Sequence, residues 1–327
     1  MLKVYKLNEL DQEKVKELCV RNADVNNTIR STVENIIEEV KLKGDSALKA
    51  FALEFDGIKL NQLYIGKEEI DRLAIEVGET EKKALQLAYN NIQKFHSTQL
   101  IRETKVETTT GVICWRETRA IEKVGLYIPG GTAVLPSTFL MLGIPAKLAG
   151  CAEIVVCSPP QKNGMVNPYL AFCAQLLGIE RIYLAGGAQA VAAMAYGTES
   201  IPKVNKIFGP GNQYVTKAKT IIQSESQTAI DMPAGPSEVL VIADNTSNPV
   251  FVAADLLAQA EHGIDSQAVL VSTSAEIIEQ TITELQRQLL VLPRRDIAAK
   301  AIEKSYAIFV SNLDEAIRFS NEYAPEH

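Results

Sequence analysis

The stretch KVGLYIPGG, residues 123–131, contains the pattern on which the fold prediction rests. A short apolar run is followed by a Pro/Gly loop and then by a helical stretch. The same order returns after EIVVC at 153–157, RIYLA at 181–185 and VNKIF at 204–208. Continuous apolar runs are typical of parallel strands covered on both faces, and their alternation with helices indicates βαβ units. The sequence therefore predicts an α/β fold with a parallel sheet in this region.

A second series of strands and helices follows the loop DMPAGPS at 231–237. Its apolar runs are EVLVIA at 238–243, QAVLVS at 267–272 and YAIFVS at 306–311, and the predicted helices cover 249–262, 275–290 and 313–323. Upstream of the first series, residues 1–105 have mainly helical periodicity. Residues 106–120 have the pattern of a hairpin or a pair of strands.

We predict the α/β class, with two Rossmann-like parallel-sheet domains that lack G-x-G-x-x-G and an N-terminal helical segment at 1–24. One domain is discontinuous and combines 25–107 with 236–327, and the other covers 124–235. A β connection at 108–123 separates them in the chain.

The composition excludes several classes of protein. The 327 residues include 33 Lys and Arg against 40 Asp and Glu, and the net charge of −7 argues against a nucleic-acid binder. No apolar run reaches the roughly 20 residues that span a bilayer, because the best candidate, 132–150, is interrupted by Pro136, Pro145 and Lys147. The N-terminus has no signal-peptide core, and the 5 Cys form no CxxC pair. These features favour a soluble cytoplasmic enzyme.

Glycine-rich loops follow three of the predicted strands, at 129–131, 186–187 and 209–212. Ligands of open α/β sheets bind outside the carboxyl ends of the strands, and such loops bring backbone N–H groups close to a phosphate. None of the loops completes G-x-G-x-x-G, since the sixth position after Gly209 and Gly211 is Tyr214. A nucleotide site and a purely structural role for the glycines both remain open.

Two pairs of side chains have the spacing of catalytic or metal-binding groups. Gln259 and His262 stand three residues apart in a predicted helix, so they share a face and could hold a metal ion; taken alone, the pair is more often a solvated helix end. Glu326 and His327 are adjacent titratable groups suited to two proton transfers, with an exposed, frayed tail as the alternative.

The remaining candidates are weaker. His96 lies on a polar helical stretch and is predicted to be a surface residue. Cys151 and Cys157 flank a predicted strand, where a packed, inert thiol is more usual than a nucleophile. Asp231 and Ser237, in DMPAGPSE, either face a ligand cleft or form a plain linker turn.

Five long strings carry a resemblance to a known family: VGLYIPGG, IFGPGNQYVTKAK, AIDMPAGPSEVLVIAD, DLLAQAEHGIDSQAVL and NEYAPEH. Together they resemble histidinol dehydrogenase, in register from about residue 25 to the last residue. The resemblance implies a zinc-dependent enzyme that oxidises L-histidinol through histidinaldehyde to L-histidine with two NAD, at the end of histidine biosynthesis. It also implies homodimers that share active sites, and domains without the usual dinucleotide fingerprint.

The resemblance assigns roles to individual residues. Gln259 and His262 match zinc ligands, and Ser237 matches a substrate contact. The NAD contacts correspond to Tyr127, Gln189 and Asn212, which places NAD with 124–235 and zinc with the discontinuous domain.

Glu326 and His327 match the proton-transfer residues. With Ser237, Gln259 and His262, they make up the implied substrate site. In this scheme His327 takes the alcohol proton, and Glu326 activates the water that attacks the aldehyde.

Family members continue past residue 327 with an Asp and a His that complete the zinc shell, the His coming from the other subunit. We therefore expect a truncated chain that is inactive or impaired. The alternatives are a related zinc/NAD dehydrogenase of another polar alcohol, an inactive NAD-binding fragment and a non-catalytic phosphate-binding module.

Overall fold

The computed structural model describes residues 2–20, 27–100, 104–130, 134–233 and 238–327. The chain divides into two compact units, which we treat separately. The continuous unit is Asn26–Pro233, and the discontinuous unit is Met1–Val25 together with Ala234–His327.

The continuous unit contains eight helices and eight strands among its described residues. The helices are α2 (Asn27–Lys43), α3 (Asp45–Phe55), α4 (Lys67–Ile75), α5 (Glu79–Ser97), α6 (Pro136–Ala149), α7 (Pro168–Leu177), α8 (Gly187–Tyr196) and α9 (Gln213–Glu225). The strands are β2 (Tyr64–Ile65), β3 (Val106–Thr109), β4 (Val112–Cys114), β5 (Lys123–Tyr127), β6 (Glu153–Ser158), β7 (Ile182–Leu184), β8 (Lys206–Phe208) and β9 (Ala229–Ile230).

The main sheet of the continuous unit has the order β2-β7-β6-β5-β8-β9. Strands β5 to β9 are parallel, and β2 pairs antiparallel with β7. Counted from β5, the parallel strands run third, second, first, fourth, fifth, which is a doubly wound order that reverses between β5 and β8. Leu126 and Tyr127 are successive residues of β5, so they point to opposite faces of the sheet, and they are 1% and 5% exposed. Both faces are therefore covered, as the continuous apolar runs predicted.

The discontinuous unit is built around a four-stranded parallel sheet with the order β1-β12-β11-β10. Its strands are β1 (Lys3–Lys6), β10 (Glu238–Ala243), β11 (Gln267–Ser272) and β12 (Tyr306–Phe309). Its helices are α1 (Gln12–Cys19), α10 (Pro249–Ala260), α11 (Ala275–Leu289), α12 (Arg295–Glu303) and α13 (Leu313–Tyr323), with a 3-10 turn at Leu7–Glu9. The predicted α/β class with parallel sheets is confirmed, and β3 and β4 form the predicted antiparallel hairpin.

Two details of the prediction differ from the structure. The N-terminal segment is not wholly helical, because residues 3–6 pair with β12 and satisfy the backbone groups of its outer edge. The helices at 27–97 belong with 124–233 and not with 236–327. The reason is shared packing: α2 lies on α8 and α9, α4 on α7, and α5 on α6, while the Leu184 N–H donates to the Leu63 carbonyl at 2.8 Å.

Candidate functional site

Tyr127 ends β5 next to the point where the strand order reverses, and it is buried. Its hydroxyl oxygen accepts a hydrogen bond from the Gly187 N–H at 3.1 Å, in the first turn of α8. Burial raises the pKa of Tyr127, so the phenol stays protonated at neutral pH. A protonated phenol that accepts one bond retains its own hydrogen to donate to a ligand.

Gln189 lies in the same first turn of α8 and is 5% exposed. A Cβ on Gly187, which has φ +60°, would lie 2.7 Å from Gln189 Oε1. The Gln189 carboxamide is therefore packed against the residue that binds the Tyr127 hydroxyl. The structure thus brings these two predicted cofactor residues together through Gly187.

Asn212 is the N-cap of α9, and its Oδ1 accepts from the N–H groups of Tyr214 at 3.0 Å and Val215 at 3.1 Å. The capping bonds occupy the oxygen, so the exposed Asn212 offers its amide hydrogens to a ligand. Three residues earlier, Gly209 has φ +129°, and a Cβ there would collide with the Tyr127 carbonyl oxygen. The Asn212 loop is therefore pressed against the carboxyl end of β5.

Glycines in the two other loops have a packing role. A Cβ on Gly186 would lie 2.6 Å from Cβ of Pro159, and one on Gly130 would lie 3.0 Å from Cγ of the same proline. Gly131 lies outside the described residues. Close packing against Pro159 is therefore sufficient to explain why positions 130 and 186 are occupied by glycine.

Sequence reasoning missed Ser158, the last residue of β6. Its side chain is fully buried, and its Oγ has no hydrogen-bond partner among the described residues. The hydroxyl lies 3.1 Å from the position of a Cβ on Gly130, in the loop after β5. The carboxyl ends of β5 and β6 therefore lie side by side at this point. A serine before Pro159-Pro160 has no distinguishing sequence signal.

Gln259 and His262 lie in the discontinuous unit, at the end of α10. Gln259 is 8% exposed, and its Nε2 is buried without a hydrogen-bond partner in the described ranges. The predicted helix at 249–262 was two residues too long, since α10 ends at Ala260. His262 lies in the following turn, where its N–H donates to the Gln259 carbonyl at 3.2 Å and its side chain is exposed. The turn is needed to lead the chain into β11.

Glu326 and His327 follow α13 through Ala324, which has the left-handed φ of 49°. Upstream of this reversal, the Tyr323 hydroxyl donates to Gln267 Oε1 at 2.6 Å. Downstream, the Leu240 N–H of β10 donates to the His327 carbonyl at 2.9 Å. The frayed-tail alternative is therefore wrong for the backbone, although both side chains are exposed.

The four candidate residues of the discontinuous unit lie at the amino ends of its strands. Gln259 and His262 precede the start of β11 at Gln267, and His327 bonds to β10 near its first residue, Glu238. Helix α10 runs antiparallel to the strands, so its C-terminus lies at their amino ends. The expectation that ligand-binding residues lie at the carboxyl ends of the strands thus holds only for the candidates of the continuous unit. Ser237, which precedes Glu238, lies outside the described residues.

The donor set for a metal is partial. No group of three or more His, Cys, Asp and Glu suited to a metal occurs within the described ranges. Gln259 and His262 provide two donors, whereas a structural zinc site has four ligands and a catalytic one three from protein. These two residues fit half of a zinc shell.

The candidate cysteines and His96 lie in surroundings that indicate a structural role and not a catalytic one. Burial raises the pKa of the Cys157 thiol and raises that of Cys173 to about 12, and the Cys151 pKa is also raised by burial. The buried thiols are thus protonated, which supports packed cysteines rather than nucleophiles. His96 is half-exposed on α5, with Nδ1 2.7 Å from Gln99 Oε1. None of the helices in the described ranges combines the length and apolarity of a membrane span.

The strand order of the continuous unit defines a doubly wound α/β protein, with the candidate polar side chains grouped where the order reverses. The family model of histidinol dehydrogenase matches residues 19–327, and the chain belongs to the histidinol dehydrogenase family, whose members are oxidoreductases.

Named relatives and a solved structure agree with this assignment. The chain is 54% identical over 316 residues to histidinol dehydrogenase of Bacteroides thetaiotaomicron, covering 97% of this chain and 74% of that protein. It is 50% identical over 329 residues to the chloroplastic histidinol dehydrogenase of Arabidopsis thaliana, covering 100% of this chain and 70% of that protein. The crystal structure of histidinol dehydrogenase from Elizabethkingia anophelis matches with a TM-score of 0.90 at 48% identity, covering 100% of this chain and 75% of that one.

Proposed function

We propose that this protein oxidises L-histidinol through histidinaldehyde to L-histidine, with two NAD as oxidant and a zinc ion, at the end of histidine biosynthesis. The observation that carries the proposal is the 54% identity over 316 residues to a protein named histidinol dehydrogenase. The positions of the candidate residues in each unit support individual parts of it.

Tyr127, Gln189 and Asn212 are the proposed NAD contacts. Tyr127 ends β5, Gln189 lies in the first turn of the helix after β7, and Asn212 caps the helix after β8. All three are at the carboxyl ends of strands around the reversal of the strand order, which is where open α/β sheets bind ligands. Tyr127 offers a phenolic hydrogen, and Gln189 and Asn212 offer amide groups. Bound NAD supplies the hydride acceptor for both oxidations.

Gln259 and His262 are the proposed zinc ligands, with further donors required to complete the shell. The Gln259 carboxamide supports this assignment through its oxygen, the atom that binds a metal, since its buried Nε2 has no hydrogen-bond partner in the described ranges that would fix the orientation of the amide. Zinc held by these residues would supply a Lewis acid for the polar groups of the substrate. Ser237, Gln259, His262, Glu326 and His327 make up the proposed substrate site.

Glu326 and His327 carry the proposed proton transfers. His327 removes the hydroxyl proton of the alcohol in the first oxidation. In the second, Glu326 removes a proton from the water that adds to the aldehyde carbon, which gives the hydrate that is then oxidised. The backbone anchor of His327 on Leu240 supports this role, because a general base must be positioned. We also propose a homodimer that shares its active sites.

The decisive experiment incubates the purified protein with zinc, NAD and L-histidinol and follows NADH absorbance and histidine by mass spectrometry. Two NADH for each histidine are expected. NADH from another polar alcohol but none from histidinol would replace this proposal with the related-dehydrogenase alternative.

One observation favours a second candidate, a protein that binds NAD without turnover: no group of three or more His, Cys, Asp and Glu among the described residues could hold a metal ion. Calorimetric titration with zinc separates the candidates. Stoichiometric, tight zinc binding would exclude the second one, as would turnover.

A further inference from the structure

A buried ion pair lies beneath the loop that carries Asn212. Lys219, in α9, is 6% exposed at its side chain and pairs with Asp231, which follows β9 and is 28% exposed. Neither residue touches the reacting groups in the proposed function. Replacement of a buried ion pair by apolar residues of similar volume is often neutral or stabilising, so stability alone does not account for this pair. Its contacts therefore require another explanation.

Both members of the pair bind the backbone of Gly209. Lys219 Nζ donates to the Gly209 carbonyl at 2.9 Å, and the Gly209 N–H donates to Asp231 Oδ2 at 2.8 Å. The two polar groups of one residue are thus held from two elements, α9 and the end of β9. Charge-assisted hydrogen bonds of this kind are stronger than neutral ones.

Gly209 is also the point where the loop touches β5. Its φ of +129° and the close approach to the Tyr127 carbonyl exclude a side chain at this position. Asn212 follows three residues later and is fixed at its other side by its own capping bonds to α9. The ion pair therefore binds the residue through which the Asn212 loop approaches Tyr127.

We propose that Lys219 and Asp231 are positioning residues for the dinucleotide, acting through Gly209 to hold Asn212 and Tyr127 at the spacing that NAD requires. This inference rests on the proposed NAD site and deepens it. The pair takes the place of the missing G-x-G-x-x-G motif: it orders the loop by side-chain bonds where that motif orders it by a glycine turn.

The test measures the NAD dissociation constant by calorimetry for wild type, Lys219→Met, Lys219→Arg, Asp231→Asn and the double variant Lys219→Met/Asp231→Asn. The control is Lys217→Met, the same change on the same helix outside the ion pair. Lys219→Met is expected to raise the NAD dissociation constant at least about tenfold, with partial recovery in Lys219→Arg and no change in Lys217→Met. In turnover assays the KM for NAD should rise while the KM for histidinol stays within about twofold.

The double variant keeps the test valid if a single variant fails to fold, because it leaves no unpaired buried charge. If a folded Lys219→Met or double variant binds NAD as wild type does, the positioning role is wrong while the proposed function stands. If wild type itself binds no NAD, both are overturned.

Discussion

The backbone N–H of Leu240 donates a hydrogen bond to the carbonyl oxygen of His327, with 2.9 Å between nitrogen and oxygen. Leu240 lies in β10, an edge strand of the four-stranded sheet, and edge strands offer unpaired backbone groups. The residues after α13 therefore return to the sheet, and the backbone of the proposed base is fixed while its side chain stays exposed.

The exposed side chains of His327 and Glu326 should each act in a different oxidation step. His327→Ala is expected to slow alcohol oxidation by about 10²-fold or more, the usual contribution of a general base. Glu326→Gln should instead slow oxidation of supplied histidinaldehyde. Stopped-flow NADH formation from each substrate checks this, with the exposed Glu322→Gln on α13 as control. Equal effects of both variants on both steps would refute the division.

The hydrogen bond between the Tyr127 hydroxyl and Gly187 predicts a coupled loss of stability and cofactor affinity. Tyr127→Phe leaves the Gly187 N–H without its acceptor, which should lower the free energy of unfolding by about 1–3 kcal/mol and raise the KM for NAD. Urea unfolding and steady-state kinetics measure the two effects. Tyr169→Phe, at an exposed tyrosine of α7, should change neither. A Tyr127→Phe protein with unaltered KM for NAD would remove Tyr127 from the cofactor site.

Gly209 and Gly57 provide a matched pair of glycine substitutions. Both have positive φ, but a Cβ on Gly57 has open space around it, whereas one on Gly209 collides with the end of β5. Gly57→Ala should cost about 1–2 kcal/mol of backbone strain. Gly209→Ala should cost about 1–3 kcal/mol more, because its φ of +129° is outside the left-handed helical region and its Cβ overpacks. Thermal unfolding compares them. Equal losses would show that the Gly209 loop can move away from Tyr127.

Asp45 predicts a pH dependence of stability in the continuous unit. Burial acts to raise the pKa of Asp45, but hydrogen bonds from Ser200 and Thr198, together with the charge of Lys49, outweigh burial and hold that pKa below its usual value. One of these bonds comes from the Ser200 N–H at 3.1 Å. A depressed folded-state pKa stabilises the protein above the unfolded-state pKa, and this stability is lost as pH falls through the folded-state pKa. Ser200→Ala should therefore move acid unfolding to higher pH, as followed by circular dichroism. Asp45→Asn should reduce the difference between neutral and acid stability; an unchanged acid profile in both variants would exclude Asp45 as its source.

The buried carboxamide of Gln259 predicts opposite effects on stability and zinc binding. Gln259→Leu removes a buried Nε2 that has no partner among the described residues, so the zinc-free protein should gain about 1–3 kcal/mol. The same variant should lose the rise in melting temperature that zinc produces in wild type. Differential scanning fluorimetry with and without a chelator measures both. A zinc-dependent rise of wild-type size in Gln259→Leu would exclude Gln259 as a ligand.

The parts of the fold that could be predicted were those with a distinct hydrophobic pattern in a short stretch of sequence. The apolar runs at 123–128 and 238–243 became parallel strands because burial on both faces demands continuous hydrophobicity. The end of α10 was misjudged by two residues, since a helix end depends on the turn that follows. The strand at Lys3–Lys6 was missed because its pairing partner, β12, lies about 300 residues away in the chain.

By itself, the sequence determined the fold class and, through strings such as IFGPGNQYVTKAK, the family. Only the tertiary structure decided which candidate residues meet: Tyr127 and Gln189 converge on Gly187, and Lys219 and Asp231 converge on Gly209. Hydrophobic periodicity is a local property, so it can be recognised in a short stretch of sequence without the tertiary structure. Hydrogen bonds between residues 10 to 60 positions apart depend instead on strand order and on helix packing, which no short stretch of sequence specifies.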